Sequence, residues 1–84
     1  MYKAYVLKSL KDGNLYIGCT ANLKKRLTEH KNKKVASTKN RLPIELIYFE
    51  DYGDKYKAYK MERFYKTPKG KRILKDKMRN SGIV

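Results

Sequence analysis

Apolar residues crowd two short runs near the start of the chain. Residues 2–8 hold Tyr2, Ala4, Tyr5, Val6 and Leu7, and residues 14–19 hold Leu15, Tyr16 and Ile17. Runs this short and this rich in aromatic and β-branched side chains read as strands. Between them Lys11-Asp12-Gly13-Asn14 reads as a tight turn, with Gly13 and Asn14 both able to take φ > 0. The pair is therefore a hairpin. A helix follows from Thr20 or Asn22, either of which can cap it, to about Lys31, with Leu23 and Leu27 as its core stripe. Residues 32–42 form a loop closed by Pro43. Ile44–Glu50 is apolar almost throughout, which places this third strand at the centre of the sheet or under cover. Tyr52-Gly53-Asp54 is a turn, and Asp54 caps a second helix over about 55–66. Pro68 suits the first turn of a third helix over about 68–80, where Ile73, Leu74 and Met78 recur at helical spacing and Gly82 marks the end. The order is ββαβαα: an α+β fold with a small three-stranded, mostly antiparallel sheet flanked by helices, in one domain over residues 1–84.

Charge narrows the partners. The 84 residues carry 22 basic against 8 acidic side chains, a formal +14. Such an excess favours a polyanion. Many of the cations fall in two stretches. One spans residues 21–43 and includes Lys24, Lys25, Lys31, Lys33, Lys34, Lys39 and Arg41. The other spans residues 66–80 and includes Lys66, Lys69, Lys71 and Arg72. This unevenness suggests a one-sided grip on a phosphate backbone. A single Cys and a single His exclude an internal disulfide and an ordinary zinc cluster. A carboxylate-held Mg²⁺ or Mn²⁺ needs neither. No apolar run approaches the length of about 18 residues that a membrane span needs. With no signal peptide either, the chain reads as cytoplasmic, with no membrane partner. Nothing in the sequence indicates a protein partner or a homodimer.

Candidate chemistry gathers at the junction of hairpin and first helix. Tyr5 and Tyr16 lie on paired strands and can share a face. Arg26 and His30, four residues apart, share a helix face that borders the Leu23/Leu27 stripe. Glu62 sits among Ala58, Tyr59 and Tyr65 at helical spacing. A carboxylate beside an apolar stripe needs a cation: a metal ion, Arg26 or a lysine. Together these are the parts for phosphodiester hydrolysis. A Glu-held metal polarises the phosphoryl group, an Arg stabilises developing charge, and a Tyr or His accepts a proton from water. The tyrosine can do so if neighbouring cations pull its pKa down from about 10.

The motif Tyr16-Ile17-Gly18, preceded by Lys3-Ala4-Tyr5, resembles the paired signatures of the GIY-YIG nuclease superfamily. Arg26 and His30 in Asn22-Leu23-Lys24-Lys25-Arg26-Leu27-Thr28-Glu29-His30 fall where that family has its helix arginine and the residue one turn later. Glu62 in Ala58-Tyr59-Lys60-Met61-Glu62-Arg63 falls at the metal glutamate. Tyr65-Lys66-Thr67-Pro68-Lys69-Gly70-Lys71-Arg72 is similar to a segment of the small standalone bacterial members, relatives of the N-terminal nuclease domain of a DNA-repair excinuclease. The resemblance covers nearly the whole chain. It implies a metal-dependent DNA endonuclease, structure-directed or weakly specific, in DNA repair or recombination. Glu62 would hold one Mg²⁺ or Mn²⁺, Tyr16 or Tyr5 would act as or position the general base, Arg26 would bind the scissile phosphate, and His30 would support it. The alternative is a non-catalytic module that binds DNA or RNA on the same scaffold.

Overall fold

A computed structural model of the chain describes residues 1–82. Strands β1 (Tyr2–Ser9) and β2 (Leu15–Thr20) form the hairpin, and α1 (Leu23–Lys31) follows. Strand β3 (Ile44–Tyr52), helix α2 (Lys55–Tyr65) and helix α3 (Pro68–Asn80) complete the expected ββαβαα order. The sheet is antiparallel throughout, in the order β2-β1-β3.

That order decides between the two places the apolar run allowed the third strand. β1 is central and β3 is an edge strand. The apolar run of β3 is used on both faces: Ile44 and Leu46 pack toward one core cluster, Ile47 and Tyr48 toward the other. The hairpin turn forms where expected. Only Gly13 takes a positive φ, +75°; Asn14 instead donates its backbone N–H to Asp12 Oδ1 at 2.9 Å.

Alternation along β1 divides the core. Tyr5 and Leu7 face α1, packing with Ile44, Leu23, Leu27 and Leu46. Val6 faces the other way and packs with Tyr65, Leu74 and Met78 of α2 and α3. The sheet therefore lies between α1 and the α2–α3 pair. The two basic stretches consequently sit over opposite faces of the sheet, not on one side. Asn22 caps α1 by accepting from the Lys25 N–H at 3.1 Å. Its other end closes in a Schellman turn: Lys33 N–H bonds His30 O, Lys34 N–H bonds Glu29 O, and Lys33 takes φ +62°.

The α2–α3 corner is tight. Thr67 Oγ1 accepts from Gly70 N–H at 3.0 Å and donates to Phe64 O at 2.6 Å. A Cβ on Gly70 would collide with the Phe64 carbonyl, so only glycine lets α3 start this close to α2.

Candidate active site

Cross-strand pairing sets Tyr5 opposite Gly18 and Leu7 opposite Tyr16. Paired residues share a face, so Tyr5, Tyr16 and Gly18 all look toward α1. Gly18 leaves room for a phenol. A Cβ there would fall on the Tyr5 hydroxyl and Cζ. Gly18→Ala is expected to push Tyr5 off its seat, an overpacking cost of about 1–3 kcal/mol that lowers the melting temperature by roughly 10 °C. Thermal unfolding followed by circular dichroism checks it, and an unchanged midpoint would refute it.

A cleft of about 170 Å³ opens over this strand edge, lined by Tyr5, Tyr16, Gly18, Cys19, Arg26, His30, Glu62 and Lys66, among others. All five residues singled out in the sequence for catalysis thus line one cleft. α2 lies on the far face of the sheet, yet Glu62 reaches the same opening because β2 is an edge strand and the cleft wraps round it.

Hydrogen bonds tie the cleft into a chain. Arg26 Nε–H donates to the Tyr5 hydroxyl at 3.2 Å. The Tyr5 hydroxyl lies 3.1 Å from His30 Nε2. His30 Nδ1 lies 2.7 Å from Thr38 Oγ1. Tyr5, His30 and Thr38 are all buried. Burial, with the Arg26 charge adding to it, pushes the His30 pKa below 6.5, so the imidazole is neutral at pH 7. Burial also pushes the Tyr5 phenol above 10.0; the Arg26 hydrogen bond and charge oppose the rise without reversing it. The expectation that cations would lower this phenol's pKa is corrected: desolvation wins, because the ring is sealed beneath α1.

Tyr16 is held differently. Its hydroxyl accepts from Arg41 Nε–H at 3.1 Å and donates to Asp12 Oδ2 at 3.3 Å, and Arg41 also pairs with Asp12 at 3.1 Å. The cation that meets Glu62 is Lys66, with Nζ 2.9 Å from Oε2. The Glu62 side chain is 21 % exposed, so its carboxylate is open to the cleft.

Among the described residues no group of three His, Cys, Asp or Glu could hold an ion. One partly exposed carboxylate at the cleft nonetheless suits Mg²⁺ or Mn²⁺, which keep several waters and take the rest of their ligands from substrate oxygens. Glu62 would be the protein's ligand, once Lys66 yields.

Two features escaped the sequence. Thr38 sits in the basic loop, where nothing distinguishes it from Ser37 or Asn40; only the fold buries it on His30. Glu50 accepts from Tyr52 and Tyr65 at 2.7 and 2.6 Å, from Tyr48 at 2.8 Å and from Lys77 at 3.2 Å. Three tyrosines spaced about a strand and a helix were the available signal.

The eleven cations expected on nucleic acid are all exposed. Lys24, Lys25 and Lys31 lie on α1, Lys33, Lys34, Lys39 and Arg41 in the loop after it, Lys66 at the end of α2, and Lys69, Lys71 and Arg72 on α3. Only Lys66 lines the cleft, and Arg41 reaches it through Tyr16. A larger cavity of about 640 Å³ lies between the hairpin and α3. Its floor is apolar (Leu15, Ile17, Ile47, Leu74, Met78), its rim is cationic (Lys8, Lys71, Lys75, Arg79), and it holds no acid. It lacks the groups for bond cleavage.

The family model described as the GIY-YIG catalytic domain matches residues 1–77. The chain belongs to the GIY-YIG family. GIY-YIG proteins are nucleases, so the fold is that of a hydrolase acting on nucleic acid, and its members generally depend on a divalent metal. Among curated GIY-YIG relatives, a UPF0213 protein of Bacillus licheniformis is 39 % identical over 82 residues, 94 % of this chain and 84 % of its own. UPF0213 protein YazA of Bacillus subtilis is 40 % identical over 80 residues, 92 % of this chain and 80 % of its own. A UPF0213 protein of Streptococcus pneumoniae is 37 % identical over 70 residues, 81 % of this chain and 71 % of its own. These are small standalone bacterial members. No solved structure matches the chain. Among the described residues no helix is long and apolar enough to cross a membrane.

Proposed function

We propose that the chain is a divalent-metal-dependent endonuclease hydrolysing DNA phosphodiester bonds. Its selectivity is weak or structure-directed, and it acts in the cytoplasm, in repair or recombination, as one domain over residues 1–84. The observation that carries this reading is the convergence of a phenol–imidazole pair, a guanidinium on the phenol oxygen and a lone carboxylate in one cleft.

In the mechanism we propose, Tyr5 donates its O–H to neutral His30 Nε2, and His30 Nδ1–H donates to Thr38. As a water oxygen attacks phosphorus, the bond from phosphorus to the leaving sugar oxygen breaks, the water's proton passes to the Tyr5 oxygen, the Tyr5 proton passes to His30, and the leaving oxygen takes a proton from solvent. The elevated phenol pKa makes a free phenolate scarce, so the relay matters more than a standing base. Arg26 steadies the charge on the Tyr5 oxygen; its Nη1 pairs with Glu29 at 3.4 Å, and its other N–H groups would meet the phosphate. Tyr16, fixed by Arg41 and Asp12, orients the incoming strand. Mg²⁺ or Mn²⁺ at Glu62 would supply charge neutralisation on the phosphate and leaving oxygens.

Purified protein incubated with labelled duplex, single-stranded, flap and branched DNA should give nicked product with Mn²⁺ or Mg²⁺ and none with EDTA. Salt-sensitive binding that survives EDTA, with no product on any substrate, would replace this reading with that of a binding module.

Thr38→Val keeps the shape at position 38 and removes the partner of His30 Nδ1. A lost hydrogen bond of about 1–2 kcal/mol predicts a fall in cleavage rate of roughly tenfold. Thr38→Ser should restore the rate. Equal rates for the valine and serine variants would remove Thr38 from the relay.

A further inference from the structure

The chain has eight tyrosines. Tyr5 and Tyr16 line the cleft, and Tyr48, Tyr52 and Tyr65 bond to Glu50. That leaves Tyr2, Tyr56 and Tyr59. Among the described residues, their hydroxyls bond to no protein group. Tyr56 is 76 % exposed and Tyr59 41 % exposed. Neither is needed to fill a core.

Their placement is ordered. Tyr56, Tyr59, Glu62 and Lys66 follow one another along α2 at spacings of three, three and four, so they form one stripe on one side of the helix. Each step of three residues advances about 4.5 Å along the helix. Tyr2 widens the stripe from the neighbouring strand, its ring centroid 6.3 Å from that of Tyr59 at an interplanar angle of 56°. Lys55 Nζ stands over the Tyr59 ring, 5.8 Å from its centroid. One end of the stripe is thus the cleft's carboxylate and ammonium. The other end is a set of solvent-facing rings with a cation beside them.

We infer that this stripe is a stacking platform for unpaired DNA bases next to the bond that is cut. The inference rests on the nuclease reading only for the position of the scissile phosphate, at Glu62 and Lys66. A strand leaving that phosphate along α2 meets Tyr59 within one helical turn and Tyr56 within two. Stacking on exposed rings is tolerant of sequence but needs bases free of a partner strand, because in a duplex their faces are already covered. The formal +14 of the chain favours a polyanionic occupant over an apolar protein surface. The substrate class that follows is DNA with a single-stranded stretch at the cleavage point: a flap, an overhang or a free single strand.

The test is made on binding, in EDTA, so that it is independent of cleavage. The wild-type chain is titrated into a 20-nucleotide oligothymidylate carrying 2-aminopurine, into a blunt duplex of the same length, and into an oligouridylate. Stacking should quench 2-aminopurine in the single strand. Tyr56→Leu combined with Tyr59→Leu should weaken oligothymidylate binding by about a hundredfold, about tenfold for each ring, and abolish the quench. The ratio of single-strand to duplex affinity should fall with it. Tyr56→Leu alone, at a site too exposed to carry the fold, should still cost about tenfold. An equal loss on single strand and duplex, no loss at all, or a tighter hold on oligouridylate than on oligothymidylate would overturn the proposal. Absence of cleavage with the platform intact would refute the nuclease reading instead.

Discussion

Glu62→Gln is expected to stop metal-dependent cleavage, lowering the rate by about a thousandfold or more. Charge neutralisation by a metal ion contributes several kcal/mol to such a transition state, and each 1.36 kcal/mol is about tenfold in rate. The amide is nearly isosteric, still reaches Lys66, and removes only the negative charge that would hold the ion. Because that charge repels phosphate, DNA binding should stay level or tighten slightly. Gel assays of nicking with Mn²⁺, paired with fluorescence anisotropy in EDTA, separate the two effects. Retained cleavage by purified Glu62→Gln would end the assignment. Arg26→Ala and Tyr16→Phe should also remove nicking and leave binding nearly intact. The first strips the partner from the Tyr5 oxygen, and the second removes the hydroxyl that Arg41 and Asp12 hold at the cleft.

The largest effect on stability is expected at Glu50. Its carboxylate joins β3 to α2 and α3 through Tyr65 and Lys77, with Tyr48 and Tyr52 completing its bonds. Burial raises its pKa, but the bonds from Tyr65, Tyr52, Tyr48 and Lys77 together outweigh burial and hold it below 4.5. Burial, with the bond to this carboxylate adding to it, pushes Tyr48 up to about 12. Glu50→Gln leaves the Lys77 ammonium without its counter-charge and one acceptor oxygen short. The cost should be about 2–3 kcal/mol, a melting temperature lower by roughly 15 °C. The pH dependence has a definite sign. The folded pKa lies below the unfolded one, so the contribution is complete above about 4.5 and is lost as pH falls through the folded value. Wild type and Glu50→Gln should therefore differ most at neutral pH and converge in acid. A constant gap down to about pH 3 would show that the charge is not what Glu50 contributes.

Much of the fold was legible because local rules and tertiary structure agree. Asn22 and Asp54 each cap a helix through a side-chain oxygen. Pro68 opens α3, and Leu74 and Met78 are buried at the spacing that marked them. The place of β3 was not legible. An apolar run signals cover on two faces, not a neighbour on each side, and antiparallel pairing can put either hairpin strand beside β3.

The five cleft residues were named from their types and spacing, and the family to which the chain belongs is written in the same residues. Their electrostatics were not. Whether Tyr5 titrates above or below a free phenol depends on how completely α1 seals it and on where Arg26 points, both properties of packing.

The residues alone determined the order of elements, the helix caps, the cationic excess and the identities of the chemical groups, because each depends on neighbours within a few positions or on composition. Tertiary structure decided which strand is central, that Lys66 is the ion that meets Glu62, that Thr38 backs His30, and that three tyrosines converge on Glu50. Some of these contacts are short in sequence. Tyr48 and Tyr52 flank Glu50 two residues away on one strand face, and Lys66 follows Glu62 by four. Such spacing allows a bond without requiring it. The bonds of Tyr65 and Lys77 to Glu50 span 15 and 27 residues, and they exist only because the sheet brings distant segments together.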